Sequence, residues 1–335
     1  MTPPPVNLAQ VGCGYWGPNL LRAFAASDAC RVTHVAEGSP ERRDYVSRNF
    51  PGITVTSSVD AILDDASVQA LVIATPAATH ADLALRAIAR GKHVLIEKPF
   101  ACNEAEARAI AAAAEEAGLV AMAGHTFIFN DAVQYLRKLI ANGDLGDVRY
   151  MFSQRLNLGR IRSDVDALWN FAPHDISILQ YLLDDEPPAE FIRAGRDFVQ
   201  PGIEDVVFLQ LKYPSGVLGS IHVSWLDPLK VRRVTVVGSK KMAVYDDTAE
   251  DKITIYDKGI DVRAVMSEDM DYDQPRGPQF SYRSGDILIP KITYREPLRT
   301  EAAHFLDCIR NGTPCLTGPA HAINVIRILE QAGQA

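Results

Sequence analysis

The chain has 335 residues, of which 47% are hydrophobic and 23% are charged, and its formal net charge at pH 7 is -8. This composition is typical of a globular chain with room for about two domains, and it indicates neither a membrane protein nor a disordered one. An excess of acidic residues leaves no basic face for a phosphate backbone, so a nucleic-acid partner is not expected.

The lengths of the apolar runs and the spacing of the cysteines indicate the cellular compartment. No run of about 18 apolar residues occurs, so no membrane-spanning segment is predicted. The first residues, MTPPPVNLAQVGCG, lack the basic and long apolar regions of a secretory signal. The five cysteines are widely spread, without a Cys-x-x-Cys pair. This favours a reducing compartment, the cytoplasm, and argues against both a disulfide framework and a zinc site, so no metal is expected.

The first motif in the chain is a glycine triad. An apolar strand pattern at residues 6–12 runs into a short segment that precedes a helix pattern; the segment contains Gly12, Gly14, Tyr15, Trp16 and Gly17. Glycines at this point provide a tight turn and a close approach of the backbone to a pyrophosphate, with the helix N-terminus facing the phosphates. The pattern indicates dinucleotide binding.

An acid follows the second strand pattern. Residues 31–36 end at Glu37, about twenty residues past the glycines. A carboxylate there accepts hydrogen bonds from the ribose 2′-OH and repels a 2′-phosphate, so NAD is favoured over NADP. Ser39, Arg42 and Arg43 follow closely and keep a phosphate-binding alternative open, as does a plain surface acid at Glu37.

The fourth and fifth strand patterns also end in polar segments. Residues 70–74 are followed by Thr75 and Pro76, with His80 at the start of the next helix pattern. Residues 93–96 run straight into Glu97, Lys98 and Pro99 without a turn-forming residue. Ligands bind at the carboxyl ends of parallel strands, so a lysine held there is a candidate for reacting with or orienting a substrate. The alternative is a solvated ion pair.

The strand and helix patterns divide the chain into two domains. Their alternation predicts a doubly wound parallel sheet in residues 1–124, the dinucleotide-binding domain. Residues 125–335 are predicted to form an α/β domain for substrate binding and oligomerisation, with a largely antiparallel open sheet. An open sheet face needs a cover, so a homodimer or homotetramer is expected. Residues 257–290 are acidic and turn-rich, which indicates a mobile loop or an oligomerisation arm.

Residues 169–175, WNFAPHD, are the informative segment of the second half. If Pro173 begins a helix, His174 lies near its positive end, which disfavours imidazolium. If the helix instead runs on from residue 165, Asn170 and His174 share one face at i and i+4. Either geometry allows a neutral His174 to take a proton near pH 7; a histidine that caps or packs the helix start is the alternative.

For each of the other candidate site residues, two interpretations remain open. His125 follows the sixth strand pattern and is a pocket residue or a buried, hydrogen-bonded histidine. The segment RLNLGRIR contains side chains that can recognise a polar or anionic substrate, or that are solvated in a loop: Arg155, Asn157, Arg160 and Arg162.

Four motifs occur in this order: Gly-x-Gly-x-Trp-Gly, the acid at Glu37, Ala-Thr-Pro at 74–76 and Glu-Lys-Pro at 97–99. In combination they resemble the Gfo/Idh/MocA oxidoreductases, which include glucose-fructose oxidoreductase and inositol dehydrogenase. The resemblance implies a Rossmann domain, a C-terminal α/β domain with an open sheet, and chemistry on sugars. It also implies that Lys98 contacts the reacting hydroxyl and the nicotinamide ribose, that Trp16 lies near the nicotinamide, and that His174 is the acid/base. The family commonly has an aspartate where this chain has Asn170, whose amide can hydrogen-bond but cannot titrate.

Two sets of site residues are therefore expected. The cofactor-binding set is Gly12, Gly14, Tyr15, Trp16, Gly17, Glu37, Thr75, Pro76, His80, Glu97 and Lys98. The substrate-binding set is His125, Arg155, Asn157, Arg162, Asn170 and His174.

The functional hypothesis is an NAD-dependent oxidoreductase that moves a hydride between nicotinamide and a secondary hydroxyl of a sugar. The segments NLGRIRSDV and GSKKMAVYDD resemble a branch found with surface-polysaccharide and amino-sugar genes, which implies a nucleotide sugar or amino-sugar glycoside oxidised at C3. The alternatives are an inositol or free-sugar dehydrogenase, a ketosugar reductase, and a non-catalytic NAD-binding regulator, because a yeast galactose repressor shares this fold. Because Asn170 stands in place of the family's aspartate, the regulator alternative remains open.

Overall fold

Two β-sheets organise the chain in the computed structural model, which describes residues 4–263 and 279–334. The first sheet has six parallel strands in the order β3-β2-β1-β4-β5-β6. Its strands are β1 (Val6–Val11), β2 (Cys30–Ala36), β3 (Thr54–Thr56), β4 (Ala70–Ile73), β5 (His93–Glu97) and β6 (Ala121–Gly124). This order reverses direction between β1 and β4, which is where doubly wound sheets bind their ligands. The predicted parallel sheet is confirmed.

Five helices connect these strands and cover the sheet. They are α1 (Gly17–Ala25), α2 (Pro40–Asn49), α3 (Val59–Leu63), α4 (His80–Ile88) and α5 (Glu104–Ala117). The central strands are buried along their whole length because helices pack on both faces of a parallel sheet. Local chemistry sets the helix ends: Asn103 accepts a hydrogen bond from the Glu106 N–H to start α5, and Gly118 ends that helix in the left-handed conformation.

The second sheet has eight strands in the order β14-β13-β12-β11-β7-β10-β9-β8. Its strands are β7 (Val148–Leu158), β8 (Glu190–Arg196), β9 (Val206–Lys212), β10 (Leu218–Ser224), β11 (Leu226–Gly238), β12 (Met242–Asp246), β13 (Ile253–Arg263) and β14 (Gln279–Leu288). Every neighbouring pair is antiparallel except β7 and β10, so the predicted largely antiparallel sheet is confirmed. The helices of this half are α6 (Asp131–Ala141), α7 (Ala167–Leu182), α8 (Pro297–Asn311) and α9 (Pro319–Gln334).

One face of the second sheet packs on α7, and the other carries exposed apolar side chains. Tyr150, Leu218, Phe208 and Ile192 share this open face by strand register, and the Phe208 ring stacks on His222 at 4.1 Å between centroids. A contiguous apolar patch of this kind is typical of an interaction surface, whereas single exposed apolar residues are not. The homo-oligomer therefore remains a prediction, and this face is the expected contact. No helix in the described ranges has both the length and the apolar character needed to cross a bilayer.

The segment 257–290 differs from the sequence-based prediction. Within its described parts, β13 and β14 pair as an antiparallel hairpin, so these residues are strand and not loop. Many side chains of this hairpin face solvent, so acidic and turn-forming residues are tolerated within its strands. The sequence therefore lacked a clear strand pattern. The remainder of the segment, 264–278, lies outside the described residues, and a role as an oligomerisation arm remains a prediction.

Helix α7 also decides between the two readings of the WNFAPHD segment. It runs without interruption from Ala167 to Leu182 with Pro173 inside it, so Asn170 and His174 lie on one face as the second alternative predicted. Pro173 has no N–H to donate to the carbonyl of Trp169, a cost that an interior proline imposes on a helix. His174 therefore lies in the middle of the helix and not at its positive end.

Candidate active site

A cavity of about 1790 Å³ lies between the two sheets, at the carboxyl ends of the parallel strands. Single small-molecule sites usually occupy roughly 300–1,000 Å³, so this cavity has room for a dinucleotide and a second ligand. Most of the predicted site residues line it: Gly12, Gly14, Tyr15, Trp16, Glu37, Thr75, Pro76, Glu97, Lys98, Arg155, Asn157, Arg162, Asn170 and His174. The strand ends therefore bring together residues from seven separate parts of the sequence.

The turn after β1 is too tight for any side chain at Gly12. Its φ is +90°, and a Cβ there would lie 2.6 Å from the carbonyl oxygen of Ala74. A Cβ on Gly17 would lie 2.8 Å from the carbonyl oxygen of Gly12. Gln10 Nε2 donates to the carbonyls of Gly12 at 2.8 Å and Gly17 at 3.0 Å, so a buried side chain holds both ends of the turn. The only sequence signal for Gln10 is a polar residue in an otherwise apolar strand.

This turn fits a dinucleotide. It leaves the backbone open to a pyrophosphate at the N-terminus of α1, where unpaired N–H groups favour an anion. Gly17 itself is buried behind the turn, where it allows close packing, and its contact with the cofactor remains a prediction.

Glu37 lies at the rim of the cavity with both carboxylate oxygens held. Oε2 accepts from the Cys13 N–H at 2.6 Å and Oε1 accepts from the Ser39 N–H at 2.9 Å. Arg43 donates to the carbonyls of Glu37 and Gly38 at 2.8 and 2.7 Å, and the Ser39 hydroxyl caps α2. Two members of the alternative phosphate-binding group are thus engaged elsewhere, which leaves Arg42 at the cavity wall.

His80 lies behind the wall that the described residues form. It is buried, and its ring nitrogens lie 2.8 Å from the carbonyl oxygens of Pro99 and Thr75. The ring thus joins the segments that follow β4 and β5. This contact positions both segments, and a direct contact of His80 with the cofactor remains a prediction.

Lys98 and Glu97 form the floor of the cavity. Lys98 Nζ donates to the backbone carbonyl of Asn170 at 3.2 Å, which links β5 to α7. Burial lowers the pKa of Lys98, with the Glu97 charge opposing this and the Arg155 and Arg162 charges adding to it. Burial raises the pKa of Glu97 to about 7, against the effect of Lys98. The lysine is therefore a positioned cation and not the solvated partner of a surface pair.

Glu301 of α8 belongs to the same buried group, although sequence reasoning did not identify it. Its Oε2 accepts from Thr126 Oγ1 at 2.9 Å, and its Oε1, like Glu97 Oε1, has no hydrogen-bond partner among the described residues. Burial, followed by the Glu97 charge, raises the pKa of Glu301 well above its ordinary value. The available signal was an acid on the apolar stripe of α8, next to Ala302 and one turn before Phe305.

His174 lies on the α7 wall of the cavity. Its ring packs edge to face on Phe127 at 5.0 Å between centroids, and its Nδ1 has no hydrogen-bond partner within the described part of the chain. Burial lowers the pKa of His174 well below its ordinary value, and the nearby charges of Lys98 and Arg155 add to this. The imidazole is therefore neutral near pH 7, because of burial and adjacent cations and not because of a helix terminus.

Arg155 lines the cavity but is held from behind. Its Nε donates to Asp175 Oδ2 at 2.7 Å, and both side chains are almost completely buried. Ser153 Oγ donates to Asp175 Oδ1 at 2.5 Å, and the guanidinium lies 4.5 Å above the centroid of the Phe127 ring. The pair thus positions Phe127, and through it His174, in addition to presenting a cation to the cavity.

Removal of Asp175 should be strongly destabilising. Asp175→Ala leaves the Arg155 charge buried without its partner, and we expect the free energy of unfolding to fall by about 3–5 kcal/mol. Ser153→Ala is the matched control, because it removes one hydrogen bond from the same carboxylate and should cost only about 1 kcal/mol. Urea denaturation of the two variants measures the difference. Equal losses of unfolding free energy in the two variants would contradict the assignment of Arg155 as a buried cation that depends on Asp175.

The remaining predicted substrate residues divide into two groups. Asn157 and Asn170 line the cavity, as does Arg162, whose exposed guanidinium pairs with Asp164 at 2.8 Å. His125 is not part of the wall formed by the described residues: it is buried, and its ring packs edge to face on His321 at 5.4 Å. Burial lowers the pKa of His125 well below its ordinary value. This position fits the buried-histidine reading, although the predicted hydrogen bond is not present within the described residues.

Two further cations reach the cavity from β11. Lys230 and Arg232 line it, and Arg232 also pairs with Asp247 at 3.3 Å. They were missed because β11 and the parallel strands are far apart in the sequence, and only the packing of the two sheets brings them together. Arg155 and Arg162 also line this end of the cavity, together with acidic residues that include Asp164, Asp166 and Asp247.

The fold and the glycine turn define a dinucleotide-binding protein with a separate sheet domain that closes the site. Residues 6–125 match the model described as "Oxidoreductase family, NAD-binding Rossmann fold", and residues 133–244 match the "GFO/IDH/MocA C-terminal domain". Together these matches cover more than half of the chain. The chain belongs to the Gfo/Idh/MocA oxidoreductase family, and its first domain is the NAD-binding domain of that family.

Individual relatives are distant. The 2,7-anhydro-N-acetylneuraminate hydratase of Escherichia coli (strain K12) is 29% identical over 230 residues, which are 65% of this chain and 61% of that protein. The dTDP-3,4-didehydro-2,6-dideoxy-alpha-D-glucose 3-reductase of Streptomyces violaceoruber is 33% identical over 175 residues, 50% of this chain and 51% of the reductase. The structure of the UDP-N-acetylglucosamine 3-dehydrogenase GnnA from Acidithiobacillus ferrooxidans is 24% identical with a TM-score of 0.82, covering 98% of this chain and 96% of that one. At this identity the structural likeness shows the fold.

Proposed function

We propose that the protein is an NAD-dependent oxidoreductase that moves a hydride between nicotinamide and a secondary hydroxyl of a sugar. The observation that supports this most is the joint presence of Lys98 and His174 on the cavity that the glycine turn also lines. Both side chains are half-buried: Lys98 is a cation that directly follows β5 of the first sheet, and His174 is a neutral base on α7. These are the two groups that removal of a proton from an alcohol requires.

The proton chemistry follows from these two side chains. Neutral His174 takes the proton from the substrate hydroxyl, and the Lys98 ammonium stabilises the negative charge that develops on the oxygen. The bound NAD supplies the acceptor for the hydride that leaves the same carbon. The alcohol thereby becomes a ketone, and one proton remains on His174. In the reverse direction protonated His174 returns the proton to a ketosugar.

Each neighbouring residue has a role that matches its geometry. The backbone carbonyl of Asn170 fixes the Lys98 ammonium. The side-chain amide of Asn170 does not titrate, so it can orient a hydroxyl but cannot take its proton. Glu37 accepts from the adenosine ribose, with its carboxylate already fixed by two backbone N–H groups. Thr126 connects Glu301 to the strand end beside Glu97. None of these groups needs to change its protonation state during turnover.

The pH dependence of oxidation should report His174. Because oxidation needs the neutral imidazole and burial lowers the pKa of His174, kcat/KM should stay constant as the pH falls through about 6.5, the ordinary histidine value, and decline only below it. The measurement is kcat/KM for oxidation with NAD saturating. An acid limb at or above the ordinary histidine pKa would contradict the assignment of His174 as a base with a lowered pKa.

The substrate is proposed more narrowly as a nucleotide sugar or amino-sugar glycoside oxidised at C3. The supporting features are the basic residues of the cavity, Arg162, Lys230 and Arg232, which suit a diphosphate, and the C3 chemistry named for the Streptomyces violaceoruber relative. Inositol and free sugars lack the anionic group that these cations would bind. The test is a panel of nucleotide sugars, aminoglycosides, inositol and free sugars with NAD, monitored through reduced nicotinamide. Turnover restricted to uncharged sugars would reject the diphosphate assignment.

A second candidate is a non-catalytic NAD-binding regulator. Asn170 favours it, because the residue that pairs with the histidine in related enzymes is here unable to titrate. The two candidates differ in one observable: the regulator binds NAD without producing reduced nicotinamide from any member of the panel. For either candidate, the exposed apolar face of the second sheet is the surface proposed for a homodimer or homotetramer contact.

A further inference from the structure

Three side chains with soft donor atoms meet at the end of α8, away from the cavity. His304 and Cys308 lie one turn apart on this helix, and Cys315 comes from the loop between α8 and α9. His304 Nε2 and the two Sγ atoms all lie within 4.8 Å of one another. Cys308 is buried, whereas His304 and Cys315 are half-buried, so the cluster is open to solvent on one side.

The loop is built to hold Cys315 over the last turn of the helix. α8 ends at Gly312 in the left-handed conformation, and Asp307 accepts hydrogen bonds from Asn311 and Thr313 that fold the chain back. Further along, the Ala123 N–H donates to the carbonyl of Thr317, and Thr317 Oγ1 donates to the carbonyl of Ala123, both at 2.8 Å. The loop is thereby anchored to β6, one residue before Gly124 at the cavity wall.

The donor atoms have the arrangement that a tetrahedral metal site needs. The Leu316 N–H donates to His304 Nε2 at 3.0 Å, so this nitrogen carries a lone pair and the ring proton is on Nδ1. Cys308 Sγ lies 3.4 Å from the same nitrogen. Sulfur and nitrogen ligands of tetrahedral zinc are about 3.6 Å apart, from Zn–S near 2.3 Å and Zn–N near 2.05 Å. Small side-chain movements would therefore bring all three atoms onto one ion.

We propose that His304, Cys308 and Cys315 form a binding site for Zn²⁺ or a similar thiophilic divalent cation, with water as the fourth ligand. Two thiolates and an imidazole are a donor set that zinc prefers over the oxygen ligands of magnesium or calcium. Binding releases the two thiol protons to solvent and replaces the Leu316 hydrogen bond at Nε2 with the metal. No oxidant or reductant takes part.

The site would connect the end of α8 to the loop anchored on β6. The first residues of α8, Pro297 and Leu298, line the cavity, so the metal would stabilise a helix of the cavity wall without touching the cavity. The sequence-based expectation of no zinc site rested on the missing Cys-x-x-Cys pair. A His-x₃-Cys spacing places both ligands on one helix face, and Cys315 joins them only through the turn at Gly312.

The test is titration of the full-length, fully reduced protein with Co²⁺, a spectroscopic substitute for Zn²⁺. We expect one Co²⁺ per chain, with thiolate-to-cobalt charge-transfer absorption and the intense visible bands of a tetrahedral ion, both removed by adding Zn²⁺. Cys315→Ser should weaken binding by about 100-fold or more, since loss of a ligand exceeds the effect of the surrounding residues. Cys102→Ser is the matched control, because Cys102 is exposed and outside the cluster, and should bind like the parent.

Two outcomes would overturn the proposal: an absence of charge-transfer absorption, and equal Co²⁺ binding by the parent and Cys315→Ser. His304→Asn provides a second variant at a half-buried position if Cys315→Ser fails to fold, and it too should weaken Co²⁺ binding. A Cys308–Cys315 disulfide that forms in place of metal binding would also reject the metal site. None of these readouts depends on turnover, so the result is independent of the proposed function.

Discussion

Lys98→Met is expected to lower kcat for sugar oxidation by about 10²- to 10³-fold while the affinity for NAD changes little. The methionine keeps most of the side-chain volume but removes the ammonium that the Asn170 carbonyl fixes at 3.2 Å. The lost interaction is made with charge that develops on the substrate oxygen, so kcat should fall more than KM rises. Steady-state kinetics together with NAD binding by fluorescence titration separate the two effects.

The matched control is Lys138→Met on α6. Lys138 is exposed and outside the cavity, so the same chemical change should leave kcat unaltered. A Lys98→Met variant with near-parental kcat would reject the role of this lysine. Loss of NAD binding in parallel with kcat would instead make Lys98 a cofactor-binding residue without a part in the chemistry.

His174→Gln is the second large effect that we expect. The amide retains hydrogen-bonding groups but cannot accept the proton, so kcat/KM should fall by about 10²- to 10⁴-fold. The acid limb of the pH profile should disappear as well, because it reports this imidazole. Persistence of the same limb in the variant would assign it to another group, and the first to examine would be Glu97, whose pKa burial raises to about 7.

His34→Gln provides the control for this substitution. His34 is a half-buried histidine of β2 that lies 3.9 Å from Asp65 and outside the cavity wall. The variant should retain the parental kcat/KM and its acid limb. A comparable loss in both variants would indicate a general structural effect and not proton transfer at His174.

The first domain was predictable because its signals are local. Strands β1, β4 and β5 are apolar runs followed directly by segments that line the cavity, and Gly12 has a φ that side chains rarely adopt. The end of each strand is therefore visible in the sequence, and so are Glu37 and Lys98. The order of the strands then brings these segments to one edge.

The parts that were not predictable depend on packing between distant segments. Glu301 joins the buried group around Glu97 only because α8 packs against residues 126–129, and Arg232 reaches the site only because β11 lines the same cavity as the ends of the parallel strands. The position of His174 within α7 was left open because a proline after Asn170 is compatible with a helix start or with a strained helix interior. The second reading holds here because α7 is covered on several sides and can tolerate the lost hydrogen bond.

Transfer of a deuterium label shows directly whether a hydride moves from the sugar to the cofactor. The full-length protein is incubated with NAD and a nucleotide sugar that carries deuterium at C3, and the reduced nicotinamide is analysed by mass spectrometry. The parent protein should yield reduced cofactor with one deuterium, and Lys98→Met should lower this yield by about 10²-fold or more. Reduced nicotinamide without the label would place the reaction at another carbon. NAD that stays bound and oxidised in the presence of every sugar tested would contradict the claim that this cavity carries out hydride transfer.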